Sequence, residues 1–172
     1  MLNYQRTFSI FTNMSSEKIN IIGVMSGTSL DGLDLVCVQF DKKQLHKFKI
    51  LYSETKSYPV FWKERLAKGY TKSYKELTKL DIDYGHYLGV EIQEFIQENQ
   101  LKNIAFIASH GHTILHQPDK GITLQIGDGE TISEHTNLKV VCDFRSQDVL
   151  FGGQGAPLVP IGDALLFSEY SS

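Results

Sequence analysis

The sequence has little of several features that mark large classes of proteins. It contains only two cysteines, Cys37 and Cys142, and each stands in an apolar run, so we expect buried free thiols rather than a disulfide framework. Its 17 Lys and Arg residues are scattered among 20 Asp and Glu residues, which leaves a net charge of −3. A mildly acidic chain without a basic stripe has no electrostatic reason to bind nucleic acid or an anionic membrane. Together these features favour a reducing compartment, and we predict the cytoplasm.

Other absences exclude further classes. No stretch approaches the roughly 18 apolar residues that a membrane-spanning helix needs. Residues 1–18 lack the apolar core and cleavage site of a signal peptide, so we predict a flexible extension there, with Met14 as an alternative start. No Gly-x-Ser-x-Gly pattern is present, so the sequence gives no support for a serine nucleophile of the α/β-hydrolase type. Hydrophobic residues make up 41% of the 172 positions, enough for one globular domain, predicted over residues 19–172.

The pattern of apolar residues predicts an α/β fold. Three early strands joined by short turns form an antiparallel meander, and strand–helix alternation follows. The predicted strands cover residues 19–25, 33–40, 47–55, 104–109, 123–126 and 139–142. The predicted helices cover residues 59–68, 73–99, 130–135 and 161–170. Polar, glycine-rich segments each follow a strand, and that edge is where open α/β sheets bind ligands.

The helix predicted at residues 73–99 carries one apolar stripe at three- and four-residue spacing, which indicates core packing. Ser73 and Glu76 form a capping box at its start. Its acidic residues are expected on the solvated face of the helix. They are Asp81, Asp83, Glu91, Glu94 and Glu98.

The strongest local signal is the segment MSGTSLDG at residues 25–32, between two predicted strands. Its two glycines and three hydroxyl side chains can offer backbone N–H and O–H donors to a phosphate group. It is not a Walker A loop, because Leu33 and Asp34 stand where Lys and Ser or Thr are required. A hairpin turn rich in ordinary turn residues explains the pattern equally well, so spacing alone leaves both interpretations open.

Histidines cluster where the fourth predicted strand ends. His110, His112 and His116 could bind a polar substrate, act as acid or base, ligate a metal, or be satisfied by the backbone. No spacing matches a known zinc signature, although Asp128 or Cys142 could complete a site. Contact with a polar substrate is the favoured interpretation.

A third polar cluster begins with Asp143 and Arg145, after another predicted strand. On an extended chain these two side chains would point to the same side, where Arg could bind a carboxylate bidentately. A salt bridge between them is the alternative. The loop predicted at residues 152–160 is rich in glycine, which suggests either close backbone approach to a ligand or a mobile loop.

Together these segments resemble the anhydro-N-acetylmuramic acid kinase family. The matching stretches are GVMSGTSLDGLD at 23–34, ASHGHT at 108–113, LQIGDG at 124–129 and DFRSQDVLFGGQGAPLVP at 143–160. The resemblance, which spans about residues 19–167, implies the N-terminal domain of a sugar-kinase/actin-like ATPase fold. Its members use ATP, magnesium and water to open the 1,6-anhydro ring of the sugar and to phosphorylate O6. The product is N-acetylmuramic acid 6-phosphate, an intermediate of cell-wall recycling.

The resemblance also implies roles for particular residues. The implied ATP-phosphate turn consists of Gly27, Thr28, Ser29, Leu30, Asp31, Gly32, Leu33 and Asp34. The implied sugar pocket consists of His110, Gly111, His112, Asp143, Arg145 and Gln154. Asp31 would orient magnesium, although Met25 stands where the wider superfamily has a metal-helping Asp, and Arg145 would bind the lactyl carboxylate. The family commonly has Gln where His112 stands; both side chains form hydrogen bonds, but only His titrates.

The resemblance finally implies a longer enzyme. In the family, the general-base Asp, a second phosphate turn and the adenosine segment lie beyond position 160, and none is found before Ser172. We therefore expect no catalytic base within this chain, which would be a truncated product inactive by itself unless two chains pair as a homodimer. The alternative is a non-catalytic module that binds the sugar or the nucleotide.

Overall fold

The computed structural model describes residues 17–155 and 158–167. The extension predicted for residues 1–18 therefore lies almost wholly outside the described residues. The described strands are β1 (Lys18–Ser26), β2 (Gly32–Asp41), β3 (Phe48–Ser57), β4 (Ile104–Gln117), β5 (Ile122–Ile126) and β6 (Val140–Val141). The described α-helices are α1 (Val60–Ala67), α2 (Tyr74–Glu98), α3 (Gly129–Thr136), α4 (Ser146–Leu150) and α5 (Leu158–Leu166). Short 3-10 helices lie at Gly69–Thr71 and Pro118–Lys120.

The strands form one mixed sheet in the order β3-β2-β1-β4-β5, with β6 also paired to β4. Strands β1, β2 and β3 pair antiparallel, which confirms the predicted meander. Strand β4 then runs parallel to β1, because the long helix α2 crosses over between them. The first half of β4 pairs with β6 and its second half pairs with β5. Strand β4 is therefore the central strand that several other elements contact.

The hydrophobic core lies between this sheet and α2. The predicted stripe of α2 is confirmed, and its most deeply buried members are Leu80, Tyr84, Leu88, Ile92 and Phe95. The helix begins where predicted, with the Ser73 N–H donating to the Glu76 carboxylate over 2.9 Å. Truncating one of the buried aliphatic residues to Ala would cost about 2–5 kcal/mol of stability, because the sheet cannot collapse into the cavity.

Several predicted boundaries are wrong. Strand β4 continues to Gln117 instead of ending at residue 109, because its polar second half gains a backbone partner in β5. Helix α4 was not predicted, and α5 begins at Leu158 within the predicted loop. Pro160 is compatible with that helix because it falls in the first turn, where a missing N–H costs nothing. Cys142 is exposed rather than buried, because β6 ends at Val141.

The acidic face predicted for α2 is also wrong for three of its members. Asp83 accepts a hydrogen bond from Arg65 over 2.5 Å, and the Glu91 carboxylate lies 3.1 Å from Lys56 Nζ with both side chains largely covered. Asp81 is half-buried and binds backbone, as described below. Only Glu94 and Glu98 are exposed as expected.

Candidate active site

The turn between β1 and β2 is exposed and is closed by backbone alone. The Leu30 N–H donates to the Gly27 carbonyl over 3.2 Å, and Leu30 has a left-handed φ of 60°. Such a left-handed residue in a tight turn is typical of backbone nests that bind anions. The side chains of Thr28, Ser29 and Asp31 are exposed and form no hydrogen bond with the described residues. Donors for a phosphate group are thus available where the sequence predicts them.

The last three residues of the predicted phosphate turn lie in strand β2. Leu33 is fully buried in the core, and the Asp34 carboxylate accepts a hydrogen bond from Thr55 Oγ1 over 2.6 Å. A Cβ atom on Gly32 would lie 2.7 Å from the Lys56 carbonyl oxygen, so glycine allows β2 and β3 to approach closely here. Gly32 and Leu33 thus support the turn from the sheet, while the Asp34 carboxylate is exposed beside Thr55.

A β-bulge in β4 brings the predicted histidine cluster alongside this turn. Val24 pairs with Ser109 and Ser26 pairs with His112, so β4 carries one residue more than β1 over this stretch. Gly111, with φ 70°, lies in the bulge, and a Cβ atom there would lie 2.5 Å from the Ile126 carbonyl oxygen. The bulge places His112 beside Ser26, the residue that immediately precedes the turn at residues 27–31.

His112 ends a buried chain of four hydrogen-bonded side chains. Its Nδ1 lies 2.9 Å from Ser26 Oγ, and Tyr58 donates to the same Ser26 oxygen over 2.8 Å. The Tyr58 and Tyr84 hydroxyl groups lie 2.6 Å apart. All four residues are buried, and burial lowers the pKa of His112 from 6.5 to about 4, with a smaller contribution from His110. The imidazole of His112 is therefore neutral at physiological pH.

His110 holds Arg145 rather than standing free. The Arg145 Nε–H donates to His110 Nε2 over 2.9 Å, which requires His110 to carry its proton on Nδ1. That proton is donated to the Gly111 carbonyl oxygen at 3.0 Å. Burial, and then the Arg145 charge, lowers the pKa of His110, so this neutral form persists. Arg145 Nη1 also donates to the Gly155 carbonyl over 3.0 Å, which leaves part of the guanidinium for a ligand.

The segment around Arg145 does not have the predicted geometry. Asp143 adopts a left-handed φ of 55° and Arg145 lies in the αR region, so the two side chains are not on one side of an extended chain, and that prediction is wrong. The Asp143 carboxylate instead accepts a hydrogen bond from Ser146 Oγ over 2.5 Å. The following loop is anchored because the Gly155 N–H donates to Asp148 over 2.7 Å. Gln154 is exposed on that loop.

The LQIGDG segment is held by residues that the sequence analysis did not assign to the site. The Gly127 N–H donates to the Asp81 carboxylate over 2.7 Å, and burial raises the pKa of Asp81. The Asp128 carboxylate caps α3 by accepting the Thr131 N–H over 2.7 Å. The Asp–Gly pattern after a strand signals the cap, but Asp81 is 46 positions away from Gly127 and no local pattern reveals it. The same holds for Tyr58 and Tyr84.

The described residues were also compared with the requirements of a metal site and of a membrane span. Among the described residues, no group of three or more His, Cys, Asp or Glu side chains is arranged to hold a metal ion. None of the described helices is long and apolar enough to cross a membrane.

Comparison with known proteins decides the family. A model of the family described as "Anhydro-N-acetylmuramic acid kinase" matches residues 19–172. The chain belongs to the anhydro-N-acetylmuramic acid kinase family. An anhydro-N-acetylmuramic acid kinase of Acinetobacter baylyi is 40% identical over 152 residues, covering 86% of this chain and 39% of the relative. One from Shewanella baltica is 37% identical over 155 residues, covering 86% of this chain and 41% of the relative.

Membership of the anhydro-N-acetylmuramic acid kinase family confirms the predicted resemblance and the fold. The mixed sheet with its antiparallel meander is the N-terminal part of a sugar-kinase/actin-like ATPase architecture. The chain spans about two fifths of the length of the curated relatives that it matches, 39% and 41% in these two cases.

Proposed function

We propose that this chain forms the part of an ATP-dependent anhydro-N-acetylmuramic acid kinase that holds the nucleotide phosphates and the sugar side by side. The observation that carries the proposal is the pairing of Ser26 with His112. Ser26 directly precedes the exposed turn at residues 27–31, and His112 lies on the bulge that also carries His110 and, through it, Arg145. Phosphate donors and sugar-binding side chains are therefore neighbours, as a phosphoryl transfer requires.

The turn fits the triphosphate of ATP. Its N–H groups and the exposed hydroxyls of Thr28 and Ser29 provide hydrogen-bond donors without any side chain that must first be displaced. Asp31 is the exposed carboxylate of the turn and would orient Mg²⁺. One carboxylate suffices, because Mg²⁺ commonly keeps several waters and takes its remaining ligands from nucleotide phosphates.

The bulge and Arg145 fit an anionic amino sugar. Arg145 keeps part of its guanidinium free while Nε and Nη1 are anchored, so it would bind the lactyl carboxylate in a fixed orientation. His110 then acts as the residue that orients Arg145, and His112 offers a neutral imidazole to the sugar. Asp143 and Gln154 are exposed near this side and would contact sugar hydroxyls.

The proposed reaction joins ring opening to phosphorylation in the cytoplasm, as a step of cell-wall recycling. Bound ATP supplies the γ-phosphoryl group for O6, and a water molecule attacks C1 of the anhydro sugar. The residues of this chain bind and orient the two substrates. We assign no general base among them.

The proposal is tested by ADP release from MgATP, with and without 1,6-anhydro-N-acetylmuramic acid, together with calorimetric titration of each ligand. We expect binding of both ligands and that any ADP release depends on the sugar. Arg145→Ala and Gly27→Val serve as variants that should impair one ligand each. ADP release that does not depend on the sugar, or no affinity for either ligand, would contradict the proposed function.

A further inference from the structure

The buried chain from Tyr84 to His112 has a direction that follows from counting its hydrogens. Tyr84, Tyr58 and Ser26 each contribute one hydroxyl hydrogen, and the chain contains three hydrogen bonds. If Tyr84 donates to Tyr58, Tyr58 to Ser26, and Ser26 to His112 Nδ1, every hydroxyl hydrogen is used. This direction needs no further partner.

The opposite direction conflicts with the geometry at Ser26. It would need Ser26 to donate to Tyr58, whereas the Tyr58 hydroxyl donates to Ser26 Oγ over 2.8 Å. Because that bond uses the one hydroxyl hydrogen of Tyr58, Tyr84 donates to Tyr58. The Ser26 hydrogen then has two neighbours, His112 Nδ1 at 2.9 Å and the Tyr84 hydroxyl, which also interacts with Ser26. Donation to His112 Nδ1 is the arrangement in which the three hydroxyl hydrogens make the three hydrogen bonds of the chain.

We propose that Ser26, Tyr58 and Tyr84 are positioning residues that hold His112 with its proton on Nε2, so that this N–H donates to an uncharged oxygen of the bound sugar. The first part rests on the geometry of the chain, and the second part rests on the proposed function. Nδ1 is occupied by Ser26, while Nε2 has no partner among the described residues. The ring therefore presents one donor of fixed direction.

The chemistry of this donor suits a hydroxyl, ether or carbonyl oxygen. The ring is only 3% exposed, and its low pKa of about 4 keeps it uncharged. A neutral N–H gains less from a carboxylate or phosphate than a cation does. Arg145 and the β1–β2 turn would bind the charged groups of the ligands, while His112 would donate a hydrogen bond to an uncharged oxygen of the sugar.

The first test measures the tautomer of His112 in the ligand-free 172-residue chain. Long-range proton–nitrogen NMR spectra at neutral pH distinguish a protonated from an unprotonated ring nitrogen. We expect Nε2 to be protonated and Nδ1 unprotonated. In Ser26→Ala, Nδ1 loses the hydroxyl group that donates to it, so the chain no longer holds Nδ1 unprotonated and we expect the Nδ1–H form to reach about a tenth of the population or more.

Ser109→Ala is the matched control. It also removes a buried serine hydroxyl, but Ser109 Oγ has no hydrogen-bond partner among the described residues, so the chain stays intact. We expect the wild-type tautomer in this variant. An Nδ1–H tautomer in the wild-type chain would overturn the proposal, as would a Ser26→Ala spectrum indistinguishable from that of Ser109→Ala.

The second test measures sugar affinity. We expect His112→Leu to lose at least about tenfold in affinity for 1,6-anhydro-N-acetylmuramic acid and His112→Gln to lose less. A Gln amide can accept from Ser26 through its oxygen and donate through its nitrogen. Equal losses in both variants would overturn the donor role. The expected tautomer in a chain without sugar affinity would overturn the sugar assignment and the proposed sugar site, while the positioning role of the chain would stand.

Discussion

The β1–β2 turn and the β4 bulge lie side by side, yet they are built in opposite ways. In the turn, the polar side chains of Thr28, Ser29 and Asp31 are exposed, and one backbone hydrogen bond closes the loop. In the bulge, His110 and His112 are both engaged by other side chains, and each is held in a neutral form. One region offers backbone to a ligand, and the other offers side chains that are already oriented.

The difference follows from what each region would bind. A phosphate accepts hydrogen bonds from many directions, so a turn of N–H and O–H groups is sufficient. A sugar oxygen is uncharged and accepts from few directions, so its partner needs a fixed orientation and a fixed protonation state. Substitutions in the turn and in the bulge should therefore have different effects on stability and on ligand binding.

The two glycines of the turn should behave differently. Gly32→Val should cost about 3–5 kcal/mol in urea unfolding, because its Cβ would lie 2.7 Å from the Lys56 carbonyl oxygen. Gly27→Val should cost less than about 1 kcal/mol, since its Cβ would meet only Ser29 Oγ at 3.3 Å. Gly27→Val should nevertheless weaken MgATP binding about tenfold or more, because the side chain blocks phosphate approach. Similar stability losses in both variants would contradict this contrast.

The bulge should make the protein sensitive to acid. His112 has a folded-state pKa of about 4 instead of 6.5, so between these values the unfolded chain binds more protons than the folded chain. Stability should therefore fall as pH falls from 6.5 towards 4, by up to about 3 kcal/mol from this residue. Urea unfolding across this range should show a shallower fall in His112→Gln. An unchanged slope in the variant would show that His112 is not the responsible group.

Arg145 should distinguish the two ligands. Arg145→Ala should weaken sugar binding by about tenfold to a hundredfold and leave MgATP binding within about threefold, because it removes the carboxylate partner only. Calorimetric titration of both ligands measures the ratio. Arg65→Ala is the control, since Arg65 pairs with Asp83 and lies over the Phe61 and Trp62 rings. Equal loss of both ligands in Arg145→Ala would contradict the assignment.

The smallest effect is expected at Asp81. Burial raises the pKa of the Asp81 carboxyl, so just above pH 3.8 the folded chain binds more protons than the unfolded chain. Protonated Asp81 therefore stabilises the folded chain at low pH. That contribution to stability is lost as the pH rises through the folded-state pKa. Asp81→Asn keeps an oxygen for the Gly127 N–H and removes the buried charge, so at neutral pH stability should change by less than about 1 kcal/mol. Urea unfolding at pH 4 and pH 7 checks this. A large loss at neutral pH would mean that the charge itself holds Gly127.

Local patterns predicted much of this fold. The meander, the apolar stripe of α2 and the turn at residues 27–31 depend on periodicity and turn residues that the chain shows within a few positions. The family resemblance then placed the histidines and Arg145 at one site. What the sequence could not show depends on pairing between distant residues. Ser26 and His112 are 86 positions apart, and the bulge at Gly111 lies in the pairing of β4 with β1, two strands that are distant in the sequence.

The most direct test of the account is an NMR titration of the nitrogen-labelled chain with MgATP and, separately, with 1,6-anhydro-N-acetylmuramic acid. We predict that MgATP shifts the backbone amides of residues 27–31, and that the sugar shifts those of residues 110–112 and the Arg145 Nε–H. Shifts at two separate sets of residues, which are neighbours at Ser26, would support a site in which the turn binds MgATP and the bulge binds the sugar. Shifts from both ligands confined to the same residues, or no shifts at the turn with MgATP, would contradict it.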